Sequence, residues 1–235
     1  MFKLREVTHI LLASAVIGYV VSFANITWNS WILFSGFGFL MLLANALAKK
    51  LVAYKMGCDI QIVPWTIKRY WFFESAYFHG WSLPAWLLWP IIVAWLSLGR
   101  VWWLVVSTFE VSATRSRIGR KFAELTEWDI ALIAVSGICV NLALALISAY
   151  LGFQEFMFMN LWFVFFNILP FPAYDGGRIL FGEMFFYLFF LVFSLAIIIL
   201  LHITLSISMI LISAVILAII VALILFGLIA KPLKF

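Results

Sequence analysis

Long apolar runs separated by short polar breaks organise this chain. About 20 apolar residues cross a bilayer, and against that length a first span covers His9 to Ile26, followed by the polar turn Thr27 to Ser30. A second runs from Trp31 to Lys49, with Gly36 and Gly38 offering close helix contact. It can continue to Met56, because Lys49, Lys50 and Lys55 can carry their ammonium groups to the interface on long apolar stems, and Gly57 then reads as its stop. From Cys58 to Trp128 the pattern is mixed. Leu83 to Leu98 is apolar but short for a crossing and holds Pro84 and Pro90, which favours a re-entrant or interfacial element. Val101 to Val106 is β-branched and aromatic, the composition of a strand near the interface. A third span covers Trp128 to Leu151, with Thr126 as its N-cap and Asp129 completing a capping box. The fourth runs from Phe156 to Phe171, and Met184 to Leu201 and Ile203 to Ala230 supply two more.

The fold class expected is therefore an all-α polytopic membrane protein of about six transmembrane helices. A region with short β elements lies between the second and third. The chain reads as one integral membrane domain, 1–235, with a core at about 31–182 and two extra C-terminal helices at 184–230.

Charge orients it. If Leu83 to Leu98 turns back, all 15 Lys and Arg residues fall on one face, which the positive-inside rule makes cytoplasmic, with both termini there. That rule also accounts for the net charge of +5 without a nucleic-acid partner. A content of 67% hydrophobic and 11% charged residues excludes an ordinary soluble domain. The cysteines, Cys58 and Cys139, form no disulfide framework, and Cys139 reads as a packing residue. The N-terminal Met1-Phe2-Lys3-Leu4-Arg5 has the charge of a signal-peptide n-region, but no small-residue cleavage site follows, so a retained first span is expected.

One stretch does not suit a membrane span: Asn167-Ile168-Leu169-Pro170-Phe171-Pro172-Ala173-Tyr174-Asp175-Gly176-Gly177-Arg178. Broken backbone at that depth is tolerated only where protein or a watery cavity receives its polar groups. An ionisable residue there marks a functional site by default; a helix end whose carboxylate reaches headgroup water is the plainer reading. The second and fourth spans both end at the cytoplasmic face, which brings Asn45, Lys49 and Asp175 to similar depth. Residues 45 and 49 share a helix face.

This segment resembles the Asn-x-x-Pro-x-Pro-x-x-Asp-Gly-Gly signature of the site-2 protease family, the intramembrane zinc metalloproteases. Two further stretches agree in order and spacing. Asn45-Ala46-Leu47-Ala48-Lys49-Lys50-Leu51-Val52-Ala53, ending at Gly57, is similar to the helix that carries the family's His-Glu-x-x-His motif, and Ser136-Gly137-Ile138-Cys139-Val140-Asn141 is similar to its Gly-Pro-x-x-Asn helix. The resemblance implies that Asp175 stands at the third zinc-ligand position, Asn45 and Lys49 at the two histidines, and Ala46 at the glutamate. It also implies a cleft lined by Asn141, Asn167, Pro170, Pro172, Gly176 and Gly177.

A hydrolytic zinc site needs neutral imidazoles, a third ligand, an open position and a general base. Asn45 is a poor ligand, Lys49 brings a positive charge and Ala46 moves no proton. No intact catalytic residue and no metal are expected. A Lys49–Asp175 ion pair is expected in the metal's place, with Asn45 adding a hydrogen bond. His9, His79 and His202 show no ligand spacing; His79 with Cys58 and Asp175 is the one set that could hold zinc in a new arrangement. Arg178 reads as a phosphate contact, or as a neutraliser of Asp175. The tryptophans from Trp65 to Trp103 read as an aromatic belt or, from the resemblance, as a site for a substrate strand.

The functional expectation is a pseudoprotease that binds a transmembrane or extended segment of another membrane protein. The alternatives are an active zinc metalloprotease with unconventional ligands, and a transporter or lipid-handling protein.

Overall fold

The structure is a computed structural model and describes residues 2–68, 82–113, 126–202 and 207–229. His79, the basic run Arg115 to Lys121 and Glu124 lie outside the described residues. Among the described residues, four helices are long and apolar enough to cross a membrane, at Leu4–Asn25, Trp28–Lys55, Glu127–Leu151 and Met184–Leu201.

The first two are α1 (Leu4–Ser22), extended by a 3-10 turn at Phe23–Asn25, and α2 (Trp28–Lys55). Both start earlier than their apolar runs suggest. The main-chain N–H of Lys3 donates to Glu6 Oε2 at 2.7 Å, so charged residues are drawn into the first turn of α1. Thr27 caps α2 by accepting from the Ser30 N–H. Where the two pack, a Cβ on Gly38 would lie 2.9 Å from Ile17 Cγ2, so this glycine sets the approach, whereas a Cβ on Gly36 would meet nothing. Gly57, with φ at +72°, ends the helix and turns the chain back along it.

The returning chain is β1 (Cys58–Pro64), which pairs antiparallel with β2 (Ser107–Ala113), Ile62 opposite Phe109. The strand composition of Val101 to Val106 thus belongs to a neighbouring segment. Leu104, Val105 and Val106 are 1% exposed or less and precede the ladder, which begins at Ser107, with the Val106 carbonyl alone accepting from the Trp65 N–H at 3.2 Å, so their apolar character reflects burial.

Between the strands stands α3 (Ala85–Leu96), whose 12 residues rise beside α1. Trp86, in its first turn, packs edge-on to His9 at 5.5 Å, and Trp95, in its last, meets Phe23 at 5.9 Å. The segment does turn back, but only after reaching the far end of α1. The tip is a tight turn with Leu98 at φ 53° and Gly99 at φ 75°, where a Cβ on Gly99 would stand 3.2 Å from the Ala24 nitrogen. Arg100 is therefore placed at that far end, which corrects the expectation that all basic residues gather on one face. Ser97 serves the backbone there: its Oγ accepts from the Val101 N–H at 3.1 Å.

The second half is α4 (Glu127–Leu151), capped by Thr126 and closed by Gly152 at φ 80°, then α5 (Gln154–Asn167), α6 (Asp175–Gly182), α7 (Met184–His202) and α8 (Ile207–Ile229). Helix α5 stops four residues before the end expected from its apolar run. At 14 residues it is about 21 Å long. Residues 168–174 break the chain and α6 resumes against α4. The break is tightly packed: a Cβ on Gly176 would fall 1.9 Å from Ile168 O, and one on Gly177 would fall 2.1 Å from Phe171 O. The paired glycines let α6 start against the end of α5 and run on along α4 toward Ala131 and Glu127. Helix α4 lies at the centre, in contact with α2, α5 and α6, while α8 packs chiefly on α7 and exposes Ile212, Ile216, Leu223 and Ile224.

Candidate functional site

Helices α2, α4, α5 and α6 converge on a cluster of polar side chains inside the apolar core. Lys49, one turn beyond Asn45 on α2, directs its Nζ to Asp175, 2.8 Å from Oδ1 and 2.7 Å from Oδ2. Both side chains are about 95% buried. Each charge alone would cost several kcal/mol at such a place, and only close geometry with further hydrogen bonds offsets that cost. The further bonds come from Asn167, at the end of α5. Its Nδ2 donates to Asp175 Oδ2, and its Oδ1 accepts from the Asp175 main-chain N–H at 3.3 Å. Asp175 also sits in the first turn of α6, where the helix dipole favours a negative group.

Asn45 does not join this pair as expected. Its Nδ2 donates to Asn141 Oδ1 at 2.9 Å, Asn141 Nδ2 to Asn160 Oδ1 at 3.0 Å, and Asn160 Nδ2 to the Phe156 carbonyl at 2.8 Å. All three amides are buried, and they tie α2 to α4 and α5. Gly137 makes the room: a Cβ there would stand 2.4 Å from Lys49 Cε and 2.7 Å from Asn45 Nδ2. Asn160 is absent from the sequence expectation, although a lone amide in an apolar run is the available signal.

Of the other expected cleft residues, Gly176 and Gly177 are buried at the α6 junction, and Pro170 and Pro172 are exposed on the break. Arg178 turns inward instead of toward phosphates. Its guanidinium lies 3.7 Å from the Phe109 ring centroid and Nη2 donates to Thr108 Oγ1 at 3.0 Å, while Lys49 Nζ is 4.9 Å from the same ring. The Thr108 hydroxyl in turn donates to the Ala173 carbonyl at 2.7 Å, joining β2 to the break. Cys139, expected as a packing residue, is exposed on α4. His9 is buried in α1, and its Nε2 has no hydrogen-bond partner among the described residues. His202 closes α7.

A second buried ion pair was not legible as a site. Glu6 on α1 receives Lys50 Nζ at 2.9 Å and the Ile62 main-chain N–H at 2.8 Å, and Lys50 also donates to the Ile60 carbonyl at 3.1 Å. Together the two side chains occupy the edge of β1 that faces away from β2, as a neighbouring strand would.

The residues that the resemblance aligns with a metal site do not suit zinc. The Lys49 ammonium takes both oxygens of Asp175, Asn45 is committed to Asn141, and Ala46 is a buried core residue. Among the described residues, no three His, Cys, Asp or Glu side chains converge. Two concavities open beside the cluster and share Glu110 and Pro172 on their borders. One, of about 490 Å³, is bordered by Phe109, Val111, Ile130, Pro172, Arg178 and Phe181. The other, of about 1080 Å³, is walled by aromatic rings. Comparison with family models, with curated proteins and with solved structures finds no match for the chain.

Proposed function

We propose that this protein is a non-hydrolytic receptor for segments of other membrane proteins, built on a framework that resembles the site-2 proteases. The carrying observation is the Lys49–Asp175 pair: an ammonium holds both oxygens of the carboxylate that the resemblance assigns to zinc. Ala46 at the general-base position removes the proton acceptor that peptide hydrolysis needs. In this reading the chain has six spans, with α5, the break and α6 together making the fourth. Both termini lie on the cytoplasmic face, and the α3 hairpin re-enters from it.

The partner enters beside β2. The outer edge of β1 is occupied by Glu6 and Lys50, whereas Phe109 and Val111 lie opposite Ile62 and Ile60 and so turn their main-chain groups away from β1. Of the two, Phe109 is buried and Val111 is partly exposed on the 490 Å³ concavity, so an unwound segment can pair at the Val111 end of the edge.

The test is to rebuild the metal site. In the triple variant Asn45→His, Ala46→Glu and Lys49→His, elemental analysis should find one zinc per chain, and adding Asp175→Asn should remove it. The unaltered protein should bind no stoichiometric zinc and leave a single-pass model substrate uncut. A photo-crosslinker at Val111 should capture a reconstituted single-pass peptide carrying a Gly-Pro break near its cytoplasmic end, and not its uninterrupted counterpart. Stoichiometric zinc in the unaltered protein, or chelator-sensitive cleavage, would overturn the reading in favour of an unconventional metalloprotease.

A further inference from the structure

The larger concavity differs from an aromatic belt. A belt spreads tryptophans around the circumference of a membrane protein at headgroup depth. Here Trp65, Trp89, Trp103 and Tyr174 gather around one groove of about 1080 Å³. Trp65 stacks on Trp103 at 6.3 Å and meets Tyr174 edge-on at 5.1 Å, and Trp89 meets Trp103 edge-on at 6.2 Å. The rings come from four places in the chain: the end of β1, α3, the segment before β2, and the break before α6. They are held as one wall.

Two charges of opposite sign line the same groove, Glu110 from β2 and Lys68 beyond β1, and both are exposed. Neither has an ion-pair partner among the described residues. Aromatic faces beside a carboxylate recognise an alkylammonium, best on tryptophan. A lysine ammonium recognises a phosphate as a point charge. The Trp103 indole is packed within the wall, with Phe166 behind it at 4.4 Å, and it holds the neighbouring rings in place. Beside the polar end, α3 presents Trp89, Ile92 and Trp95 outward, a surface suited to hydrocarbon.

We infer that this groove is a binding site for a zwitterionic phospholipid headgroup, with the alkylammonium toward Trp65 and Glu110 and the phosphodiester toward Lys68. The acyl chains leave along α3 into the bilayer. A peptide segment would satisfy the apolar walls but has no need of separated opposite charges. The site adjoins the β2 edge, with Glu110 and Pro172 bordering both concavities, but lipid binding there requires no captured peptide and is measured without one.

The full-length protein in a neutral maltoside detergent provides the test, with tryptophan fluorescence and native mass spectrometry as readouts. The probes are short-chain phosphatidylcholine, phosphatidylethanolamine and phosphatidylglycerol of equal acyl length, with free phosphocholine to separate headgroup from chain. Both zwitterionic lipids should bind saturably and about tenfold more tightly than phosphatidylglycerol. Glu110→Gln should weaken the zwitterionic lipids by about fivefold and leave phosphatidylglycerol unchanged, while Lys68→Gln should weaken all three. Trp65→Leu should reduce phosphatidylcholine binding, with unchanged thermal unfolding showing that the fold is intact. If Trp65→Leu unfolds the chain, the exposed Glu110→Gln variant decides alone. Equal affinity for the three lipids would reduce the site to apolar partitioning and overturn the inference. A preference for phosphatidylglycerol would overturn it too, as would a peptide crosslinked within the groove that phosphatidylcholine fails to displace.

Discussion

Adjacent lysines on one helix lead into two differently built regions. Lys49 faces the α4–α6 side and meets a carboxylate whose other partner is an amide side chain, Asn167. Lys50 faces α1 and β1 and meets a carboxylate held by main-chain N–H groups of Lys3 and Ile62. The first pair joins helices that are distant in sequence and depends on side chains that can be exchanged. The second finishes a sheet edge and is anchored by backbone. A buried charge supported by backbone dipoles survives the loss of its counter-ion better than one supported mainly by that counter-ion.

The largest effect should come from breaking the first pair. Lys49→Met leaves Asp175 buried and uncompensated, and is expected to cost about 3–5 kcal/mol of stability, read as a lower thermal midpoint in detergent. The double variant Lys49→Met with Asp175→Leu should recover most of that loss, since an apolar contact replaces the pair. If the double variant is no more stable than the single, the pair is not what joins α2 to α6. Next comes Gly137→Ala: its new methyl collides with Lys49 Cε, and overpacking of this kind costs about 1–3 kcal/mol. Lys49→Ala in the same background should relieve the collision with Cε and leave the one with Asn45 Nδ2, a partial coupling that a double-mutant cycle measures. Lys50→Met should cost less than Lys49→Met, about 1–2 kcal/mol, because Glu6 keeps its main-chain donors. Hydrogen exchange at Ile62 should then accelerate more than exchange at the α4 centre. An equal loss from both lysine variants would erase the contrast. Asn160→Leu should be the smallest, near 0.6 kcal/mol, the average for a hydrogen bond between membrane helices.

The same contrast explains what could be read ahead of the structure. The depth at which the second and fourth spans end, with residues 45 and 49 on one face, sufficed to juxtapose Lys49 and Asp175. Both are ionisable residues in apolar surroundings, and such residues must find one another. Glu6 escaped notice because it stands among charged residues at the start of α1, where exposure to water is the ordinary expectation. Only the return of β1 along α2 encloses it. The partner of Asn45 was misassigned because periodicity gives a face of a helix, not the neighbour across it: Asn141 was closer than Asp175. The sequence leaves Arg178 open between a phosphate contact and a neutraliser of Asp175, because nothing local reveals that Phe109, far away in the chain, supplies a ring for its guanidinium. The strand lies a few residues later than its composition suggests because Val101 to Val106 gains its burial from side-chain packing, with only the Val106 carbonyl bonded across to Trp65.

The hairpin formed by α3 and the segment descending to β2 carries a consequence for biogenesis. A 12-residue helix is too short to partition into lipid on its own, and Arg100 at its tip opposes transfer across the bilayer. Insertion machinery that reads hydrophobic length should therefore pass over it. In the topology proposed above it takes its place only after α1 is in the membrane and offers a surface to climb, by docking rather than by threading.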